Sequence, residues 1–288
     1  MTLFLIELEY SLKNRKAELL KISFHSDEAN TDRALKEYLK NLIENKCNKL
    51  DKFKNIKRID LHNNEGKITT YNISENIRNI FIDKVFLKEE ITDDIKKKLK
   101  KNKRTVYTNP DICLRINNNG KILYETIELK STKNDAIPGS SVQQIEPEGF
   151  VVFIKHTASD IEIATGQYLN SINSKIQFPD RSPRPEVSFK ELDEWNKTFR
   201  NIQTDSIAFG KDDQKTEKAE LINDWQEVLA DRWVDILFGE ENKKKIPWFH
   251  TNIRKFILSF LDKYEKLNKE QKEAFKENVI KNIEKDRG

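Results

Sequence analysis

Two carboxylates and a lysine stand at the ends of two neighbouring apolar segments of this chain. Asp111 opens the first segment, and Glu128 and Lys130 close the second. Between the segments, residues 117–120 read Asn-Asn-Asn-Gly, which are residue types that tolerate the positive φ angles of a tight hairpin turn. The sequence therefore predicts two antiparallel strands that carry the three side chains at one end of a hairpin.

The pairing register of this hairpin decides whether the three side chains share a face. Side chains alternate along a strand, so Glu128 and Lys130 point to the same side. In the register that we expect, Asp111 lies opposite Thr126 and emerges on that same face. A register shifted by one residue would turn Asp111 to the other face.

The predicted cluster of Asp111, Glu128 and Lys130 has the composition of a metal-dependent hydrolytic site. Two carboxylates with neighbouring water molecules suit a hard divalent cation such as Mg²⁺, and the backbone carbonyl of Leu129 is a candidate for a further ligand. A metal held there can polarise a phosphoryl oxygen, help to ionise a water molecule and neutralise the leaving oxygen. Lys130 would position or activate that water, or stabilise the developing charge. The pattern indicates metal-assisted hydrolysis of a phosphodiester.

The order of these residues resembles the signature of the PD-(D/E)XK nuclease superfamily. Pro-Asp at 110–111 is followed by Glu-Leu-Lys at 128–130, and the segment 128–144 is similar to type II restriction endonucleases. The resemblance covers roughly residues 105–190. It implies an α/β fold with a mixed central β-sheet flanked by helices, Mg²⁺ dependence and cleavage of double-stranded DNA. The alternative is an ordinary surface hairpin with charged ends, because Glu-x-Lys recurs elsewhere in this highly charged chain.

The resemblance also implies two further contributions to the site. In this superfamily a helix after the Glu-x-Lys strand borders the metal site, so Gln143 or Gln144 would orient the attacking water or contact a phosphate. A helix before the catalytic hairpin often lends an acidic residue, for which Glu37 and Glu44 are the candidates. For each of these side chains, an ordinary surface position is the alternative.

Basic residues around the predicted hairpin are candidates for contacts with DNA phosphates. Seven of the nine residues at 96–104 are basic, and the run ends at Arg104. Lys133 follows the hairpin on a loop. Arg181 and Arg184 lie in a segment with three prolines, which we expect to be irregular, and arginine can contact either phosphates or guanine. A solvated charge run and a structural role for the proline-rich segment are the alternatives.

Hydrophobic periodicity predicts the remaining elements of the chain. In chain order they are a strand followed by a helix within 1–24, a helix within 25–50, a hairpin of 57–61 with 67–73, a helix capped by Ser74 and carrying Ile80 and Val85, buried strands at 149–155 and 161–168, a polar loop at 206–218, and helices after Phe189. We expect an N-terminal helical region with a hairpin at 1–103 and a catalytic core at 104–190. A helical C-terminal region at 191–288 would pack on the core, dimerise or contact DNA.

The overall charge is nearly balanced, with 52 Lys and Arg against 48 Asp and Glu and a formal net charge of +4. A DNA-binding surface must therefore come from local clustering of basic residues. The two cysteines have no metal-site spacing, which favours a reducing cytoplasm. The opening apolar stretch is too short and too soon acidic for a signal peptide or a membrane span, so we expect no membrane association.

Together with the residues of the predicted cluster, the resemblance implies a Mg²⁺-dependent type II restriction endonuclease that hydrolyses phosphodiester bonds of double-stranded DNA at a specific site. Palindromic sites usually require a twofold-symmetric protein, so we expect a homodimer. One alternative is a nuclease of the same superfamily that acts in DNA repair or phage defence without a palindromic site. Another is a non-catalytic DNA- or protein-binding module in which the acidic hairpin is incidental.

Overall fold

The computed structural model describes most of the chain as two compact units, residues 1–223 and residues 224–288. The described residues are 1–22, 33–62, 67–73, 77, 79–102, 110–140, 146–157, 159–177, 184–239 and 248–286. The first unit contains β-sheets flanked by helices, and the second is helical. The fold is therefore mixed α/β with a helical C-terminal part, as the sequence predicts. The division of the chain at residues 103 and 190 stays a prediction.

The described residues of the first unit form six α-helices and twelve strands. The helices are α1 (Thr2–Lys13), α2 (Lys16–Leu19), α3 (Arg33–Lys46), α4 (Asp93–Asn102), α5 (Phe189–Phe199) and α6 (Lys215–Asn223). The strands are β1 (Arg58–His62), β2 (Ile68–Asn72), β3 (Ile80–Leu87), β4 (Ile112–Asn118), β5 (Lys121–Thr132), β6 (Ala136–Pro138), β7 (Phe150–His156), β8 (Ile161–Gln167), β9 (Ile172–Gln177), β10 (Arg184–Ser188), β11 (Arg200–Ile202) and β12 (Ser206–Phe209).

Five strands form the central sheet in the order β3-β4-β5-β7-β8. All neighbouring pairs are antiparallel except β5 and β7, which run parallel, so the sheet is mixed. The hairpin expected around residues 117–120 is confirmed as β4 and β5. The buried strands expected at 149–155 and 161–168 are confirmed as β7 and β8. A second sheet has the order β11-β12-β1-β2, and a third has the order β6-β10-β9.

The turn between β4 and β5 uses only two residues, Asn119 and Gly120. Their φ angles are 51° and 86°, and the strands pair from Asn118 and Lys121 outward. Positive φ at both central positions is the requirement of the two-residue turn whose twist matches paired strands. The turn is therefore shorter than the four-residue Asn-Asn-Asn-Gly stretch that signals it.

The short turn shifts the register of the hairpin from the one that we expected. Ile112 pairs with Ile127, so Asp111 comes level with Glu128. The predicted position of Asp111 opposite Thr126 is therefore wrong by two residues. Because a shift of two preserves the alternation of side chains, Asp111 still lies on the face of the hairpin that carries Glu128.

The two faces of the central sheet pack against different helices. Leu129 belongs to the main hydrophobic core, which the sheet shares with α1 and α3. On the opposite face, Cys113 packs in a cluster with apolar residues of α4, and Phe153 makes an edge contact with Phe189 of α5. Helix α4 covers β4 on this second face, and α5 covers β7. Because β5 lies between β4 and β7, the polar side chains of β5 on this face lie between the two helices.

The N-terminal segment is helical from its second residue, so the strand expected at the start of the chain is wrong. Helix α1 is buried on nearly all sides. Leu5 and Leu8 pack in the main core, whereas Leu3 and Ile6 pack with Ile207 of the second sheet. A helix enclosed from both sides carries apolar residues all round, which removes the single-faced period that identifies a surface helix.

Residues 80–87, expected in a helix capped by Ser74, form strand β3 instead, while residues 74–76 lie outside the described part of the chain. The pairing of β3 with β4 shifts between Ile82 and Lys84. This bulge breaks the strict alternation of the strand, so the buried Ile82 and Val85 lie three residues apart, an interval that also fits a helix.

Two other segments that we expected to be irregular also contain strands. Ser206–Phe209, expected in a polar loop, is β12 and runs parallel to β1 from a distant part of the chain. Arg184 opens β10, which is paired on both sides, so the expectation of irregular structure fails there. Pro185 is tolerated in β10 because the register of β10 and β9 shifts directly after it.

The second unit is helical, as expected for the end of the chain, whereas β11 and β12 lie earlier in the region 191–288 that we expected to be helical. Its helices are α7 (Trp225–Phe238), α8 (Trp248–Tyr264) and α9 (Lys269–Asp286). The rings of Phe260, Tyr264 and Phe275 contact one another and join α8 to α9. In the described residues, no helix is both long and apolar enough to cross a membrane.

Candidate active site at the open end of the central hairpin

The side chain of Asp111 forms a hydrogen bond across the open end of the β4–β5 hairpin, which is the end away from the turn. Its Oδ2 accepts a hydrogen bond from the backbone N–H of Leu129 at 3.0 Å, where a longer β4 would have placed a carbonyl. The N–H and C=O of one strand residue point to the same side of the strand. The carbonyl of Leu129 is therefore directed toward the side on which Asp111 lies.

Helix α3 contributes a lysine to this carboxylate. Lys36 Nζ lies 2.6 Å from Asp111 Oδ1, and the two side chains are only 23% and 19% exposed. Sequence reasoning missed this contact, since a lysine on an amphipathic helix in so basic a chain carries no distinguishing signal. The helix before the hairpin does reach the candidate site, but with a cation.

The acidic candidates of α3 have other partners in the structure. Glu37 is half exposed and pairs with Arg33 one turn earlier. Glu44 Oε1 accepts a hydrogen bond from the backbone N–H of Val85 at 2.8 Å and so ties α3 to β3. The structure therefore brings neither Glu37 nor Glu44 into a contact with Asp111 or Glu128.

Glu128 and Lys130 form a compact polar group with Ser140. Lys130 Nζ lies 2.8 Å from Glu128 Oε1 and 3.2 Å from Ser140 Oγ. Ser140 Oγ in turn donates to Glu128 Oε1 at 2.7 Å. The two charged side chains are 20% and 13% exposed, so both are held in defined positions near the protein surface.

Tyr168 supports this group from the segment that follows β8. Its hydroxyl accepts a hydrogen bond from the backbone N–H of Ser140 at 3.0 Å, and its ring centroid lies 6.0 Å from Lys130 Nζ. The tyrosine is only 3% exposed, and burial raises the pKa of its hydroxyl. A cation beside an aromatic face gains electrostatic stabilisation. Nothing local in the sequence marks Tyr168 as part of the site.

Gly139 allows the backbone before Ser140 to approach the sheet closely. A Cβ atom at this position would come within 2.7 Å of both the Pro185 carbonyl oxygen and the Tyr168 hydroxyl. The N–H of Gly139 donates to that same carbonyl at 2.7 Å. The glycine at position 139 thus has a steric reason, because any side chain would displace Ser140 from the site.

The charge state of Lys130 follows from two opposing effects. Burial disfavours the ammonium ion, but the nearby Glu128 and, more weakly, Asp111 favour it, and the net result is a pKa above the ordinary value for lysine. Lys130 is therefore a cation at neutral pH. Both carboxylates therefore stabilise the charge of the Lys130 ammonium group.

The donor set suits a hard divalent cation in chemical type. Asp111 and Glu128 supply carboxylate oxygens and Leu129 a backbone carbonyl, which are the ligand types that Mg²⁺ prefers. Each carboxylate already has a cationic partner, Lys36 for the first and Lys130 for the second. Within the described ranges, no group of three or more His, Cys, Asp or Glu side chains is arranged to hold a metal.

The other residues that the sequence predicts in the site are either exposed on the surface or lie outside the described residues. Lys133 is exposed at the bend after β5, and Arg184 is exposed at the start of β10. Residues 96–102 of the basic run are helical, as part of α4. Arg104, Gln143, Gln144 and Arg181 lie outside the residues that the structure describes.

Comparisons with known proteins found no match for this chain. No protein-family model matches the chain, and neither the curated proteins nor the solved structures contain a significant match.

Proposed function

We propose that this chain is a Mg²⁺-dependent endonuclease of the PD-(D/E)XK type, acting on double-stranded DNA at a specific site in the manner of type II restriction enzymes. The observation that carries the proposal is the level placement of Asp111 and Glu128 across the open end of one hairpin, with the Lys130 ammonium beside them. The sequence motif and the three-dimensional cluster therefore involve the same residues.

In this proposal Asp111, Glu128 and the Leu129 carbonyl hold the metal ion. When bound, Mg²⁺ supplies a positive charge that polarises the phosphodiester and helps a water molecule to ionise. Asp111 is oriented for this role by the Leu129 N–H, which engages Oδ2 and leaves Oδ1 facing a cation. In the structure that cation is Lys36, so its ammonium group occupies a position next to a proposed metal ligand.

Lys130 places a fixed positive charge next to the reacting phosphate. As an ammonium ion it acts as a hydrogen-bond donor to the attacking water or to a phosphoryl oxygen. Glu128 and Ser140 fix the ammonium position, and Tyr168 fixes Ser140. Preorganised charge of this kind stabilises the transition state without reorganisation during the reaction.

The DNA backbone would contact basic residues around this face of the sheet. Lys97 and Lys98 are exposed on α4, which packs on the same face as Cys113. Lys133 and Arg184 are exposed further along the chain. A palindromic target would require a homodimer, and an enzyme of this class would act in the cytoplasm on intracellular or invading DNA.

The test is cleavage of a supercoiled plasmid by the full chain, with Mg²⁺ or with EDTA. We expect discrete fragments that disappear in EDTA. Glu128→Gln and Lys130→Met should each lower the rate about a hundredfold or more. Glu162→Gln, an exposed acid on β8, and Lys121→Ala, at the far end of β5, serve as matched controls that should cleave normally.

The outcomes of this test separate the candidate functions. Fragments of defined length with one end sequence would support a restriction enzyme. Metal-dependent cleavage without defined fragments would support a nuclease of DNA repair or phage defence instead. A folded wild-type chain that binds DNA but leaves every plasmid intact would refute a catalytic role for Glu128 and Lys130, and a binding module would replace the nuclease.

A further inference from the structure

A cavity of about 630 Å³ lies within the first unit, among α1, α5, β2 and the adjoining ends of β7 and β8. This volume is within the range of natural small-molecule sites. None of the candidate active-site residues Asp111, Glu128 or Lys130 is among the residues that line it. The cavity is therefore a separate feature that the proposed nuclease chemistry does not use.

Asn196 lines this cavity and carries a buried hydrogen-bond acceptor. The residue is only 6% exposed, and its Nδ2 donates to the Thr165 carbonyl at 3.1 Å. Its Oδ1 is buried and has no hydrogen-bond partner among the described residues. Turning the amide round would direct Oδ1 at the Thr165 carbonyl, so the orientation is fixed. A buried acceptor of this kind costs free energy unless a ligand or a water molecule donates to it.

The other polar groups near Asn196 already form hydrogen bonds and ion pairs within the protein. Glu9 Oε2 accepts from both the N–H and the hydroxyl of Thr165 at 2.9 Å. Arg200 pairs with both oxygens of Glu9, at 2.8 and 3.1 Å. Asp212, which also lines the cavity, accepts from the Trp195 indole N–H at 2.8 Å. Because Glu9 and Arg200 neutralise each other and the Asp212 carboxylate already accepts hydrogen bonds from the protein, the inner part of the cavity favours an uncharged ligand.

The walls of the cavity include several aromatic side chains. Trp195 stacks on Phe209 with ring centroids 6.0 Å apart and an interplanar angle of 26°. Phe150 and Tyr71 also line the space, and Tyr71 is 54% exposed at its edge. Flat aromatic surfaces are best covered by another flat ring, either stacked or edge-on.

We infer that this cavity binds a planar, uncharged heterocycle of the nucleobase class, which donates an N–H to Asn196 Oδ1 and packs its ring against the aromatic walls. Each common base carries such a donor, as an exocyclic amino group or as a ring N–H. Asn196 cannot form the two-bond contact with adenine in which an asparagine also donates, because its Nδ2 is engaged with Thr165. The ligand is either a free nucleoside or an unstacked base of a nucleic acid strand.

The test is isothermal titration calorimetry of the full chain with adenosine, guanosine, cytidine and thymidine. We expect saturable binding of at least one nucleoside. Asn196→Leu should weaken that binding about tenfold or more, since it removes a buried hydrogen bond. Tyr71→Ala removes an exposed wall residue and should also weaken binding, so the inference remains testable if Asn196→Leu does not fold. Asn201→Leu, an exposed asparagine of β11 outside the cavity, should bind normally.

A second arm identifies the source of the base. Single-stranded oligonucleotides with one 2-aminopurine brighten when that base leaves the stack. Brightening that free nucleoside reverses, and that Asn196→Leu abolishes, would assign the site to a base within a strand. Nucleoside binding without brightening would assign it to a free nucleoside. Absence of binding by every nucleoside and oligonucleotide, or equal binding by wild type and both cavity variants, would overturn the inference, whatever the plasmid assay shows.

Discussion

Lys36 Nζ lies 2.6 Å from Asp111 Oδ1, so a cation from helix α3 occupies the front of the carboxylate that is proposed to bind metal. With Glu128 paired to Lys130, the cluster contains two acids and two bases. Its formal charge is therefore zero before any metal binds. A divalent ion bound to Asp111 must displace the Lys36 ammonium or share the carboxylate with it.

Replacing Lys36 should strengthen metal binding. Lys36→Met removes a competing cation from a pair that is about one-fifth exposed, so we expect a gain of up to about fivefold in Mg²⁺ affinity, on the scale of a partly screened ion pair. Titration of the purified chain with Mg²⁺ by calorimetry measures this directly. Lys40→Met is the matched control, because Lys40 lies one turn further along α3 and pairs with Glu90. Weaker metal binding by Lys36→Met would show that Lys36 supports the site.

Adding one methyl group at Gly139 should disable the site while leaving the fold intact. Its Cβ would meet the Pro185 carbonyl and the Tyr168 hydroxyl at 2.7 Å, so the backbone carrying Ser140 must shift. We expect Gly139→Ala to cost about 1–3 kcal/mol of stability and to lower DNA cleavage by at least about tenfold. Urea denaturation and the plasmid assay measure the two effects.

Gly120→Ala provides the comparison for that variant. Gly120 has a φ of 86° but nothing within 4 Å of an added Cβ, and it lies at the other end of the hairpin. Backbone strain should therefore destabilise this variant by about 1 kcal/mol with no loss of cleavage. Equal losses of activity in the two variants would mean that hairpin stability, and not the position of Ser140, controls cleavage.

The buried pair of Glu9 and Arg200 should make folding stability depend on acid pH. Burial opposes ionisation of Glu9, but Arg200 and Lys13 outweigh it, and the pKa of Glu9 falls below its ordinary value of 4.5. A lowered pKa in the folded state adds stability above the unfolded value, and this contribution is lost as pH falls through the folded value. Wild type should therefore lose stability below about pH 4.5.

Glu9→Gln tests the same pair at neutral pH. It leaves the Arg200 charge without its partner at a site where both side chains are 10% exposed or less, so we expect a loss of about 3–5 kcal/mol at pH 7. Urea denaturation at pH 7 and at pH 3 should show that the difference from wild type shrinks in acid. A difference that is independent of pH would argue against a charged Glu9 in the folded chain.

Exposed lysines near the hairpin should contribute to DNA affinity through phosphate contacts. Lys97→Ala and Lys133→Ala should each weaken binding to all duplex sequences and lower the slope of log affinity against log salt by about 1. Filter binding at several salt concentrations, with Ca²⁺ in place of Mg²⁺, measures both quantities. Lys54→Ala is the control, because Lys54 is exposed and pairs locally with Asp51. An unchanged slope in both variants would exclude these lysines from the DNA surface.

The sequence by itself determined the elements whose information is local. The turn at Asn119 and Gly120 identifies the β4–β5 hairpin, because few residues adopt positive φ at low cost. The alternation of strand side chains then places Glu128 and Lys130 on one face, and the even shift of the register leaves Asp111 with them. The apolar run of β7 likewise identifies a buried central strand, since both of its faces are covered.

The tertiary structure alone decided which distant groups complete the candidate site. Lys36 reaches Asp111 from a helix far earlier in the chain, and Tyr168 reaches Ser140 from beyond β8. Neither contact leaves a period or a motif in the sequence. The same reason explains why the sequence does not predict the secondary structure of α1 and β12. Helix α1 packs against neighbours on two sides, and β12 pairs with a parallel strand far away in the chain. Such packing overrides local propensity.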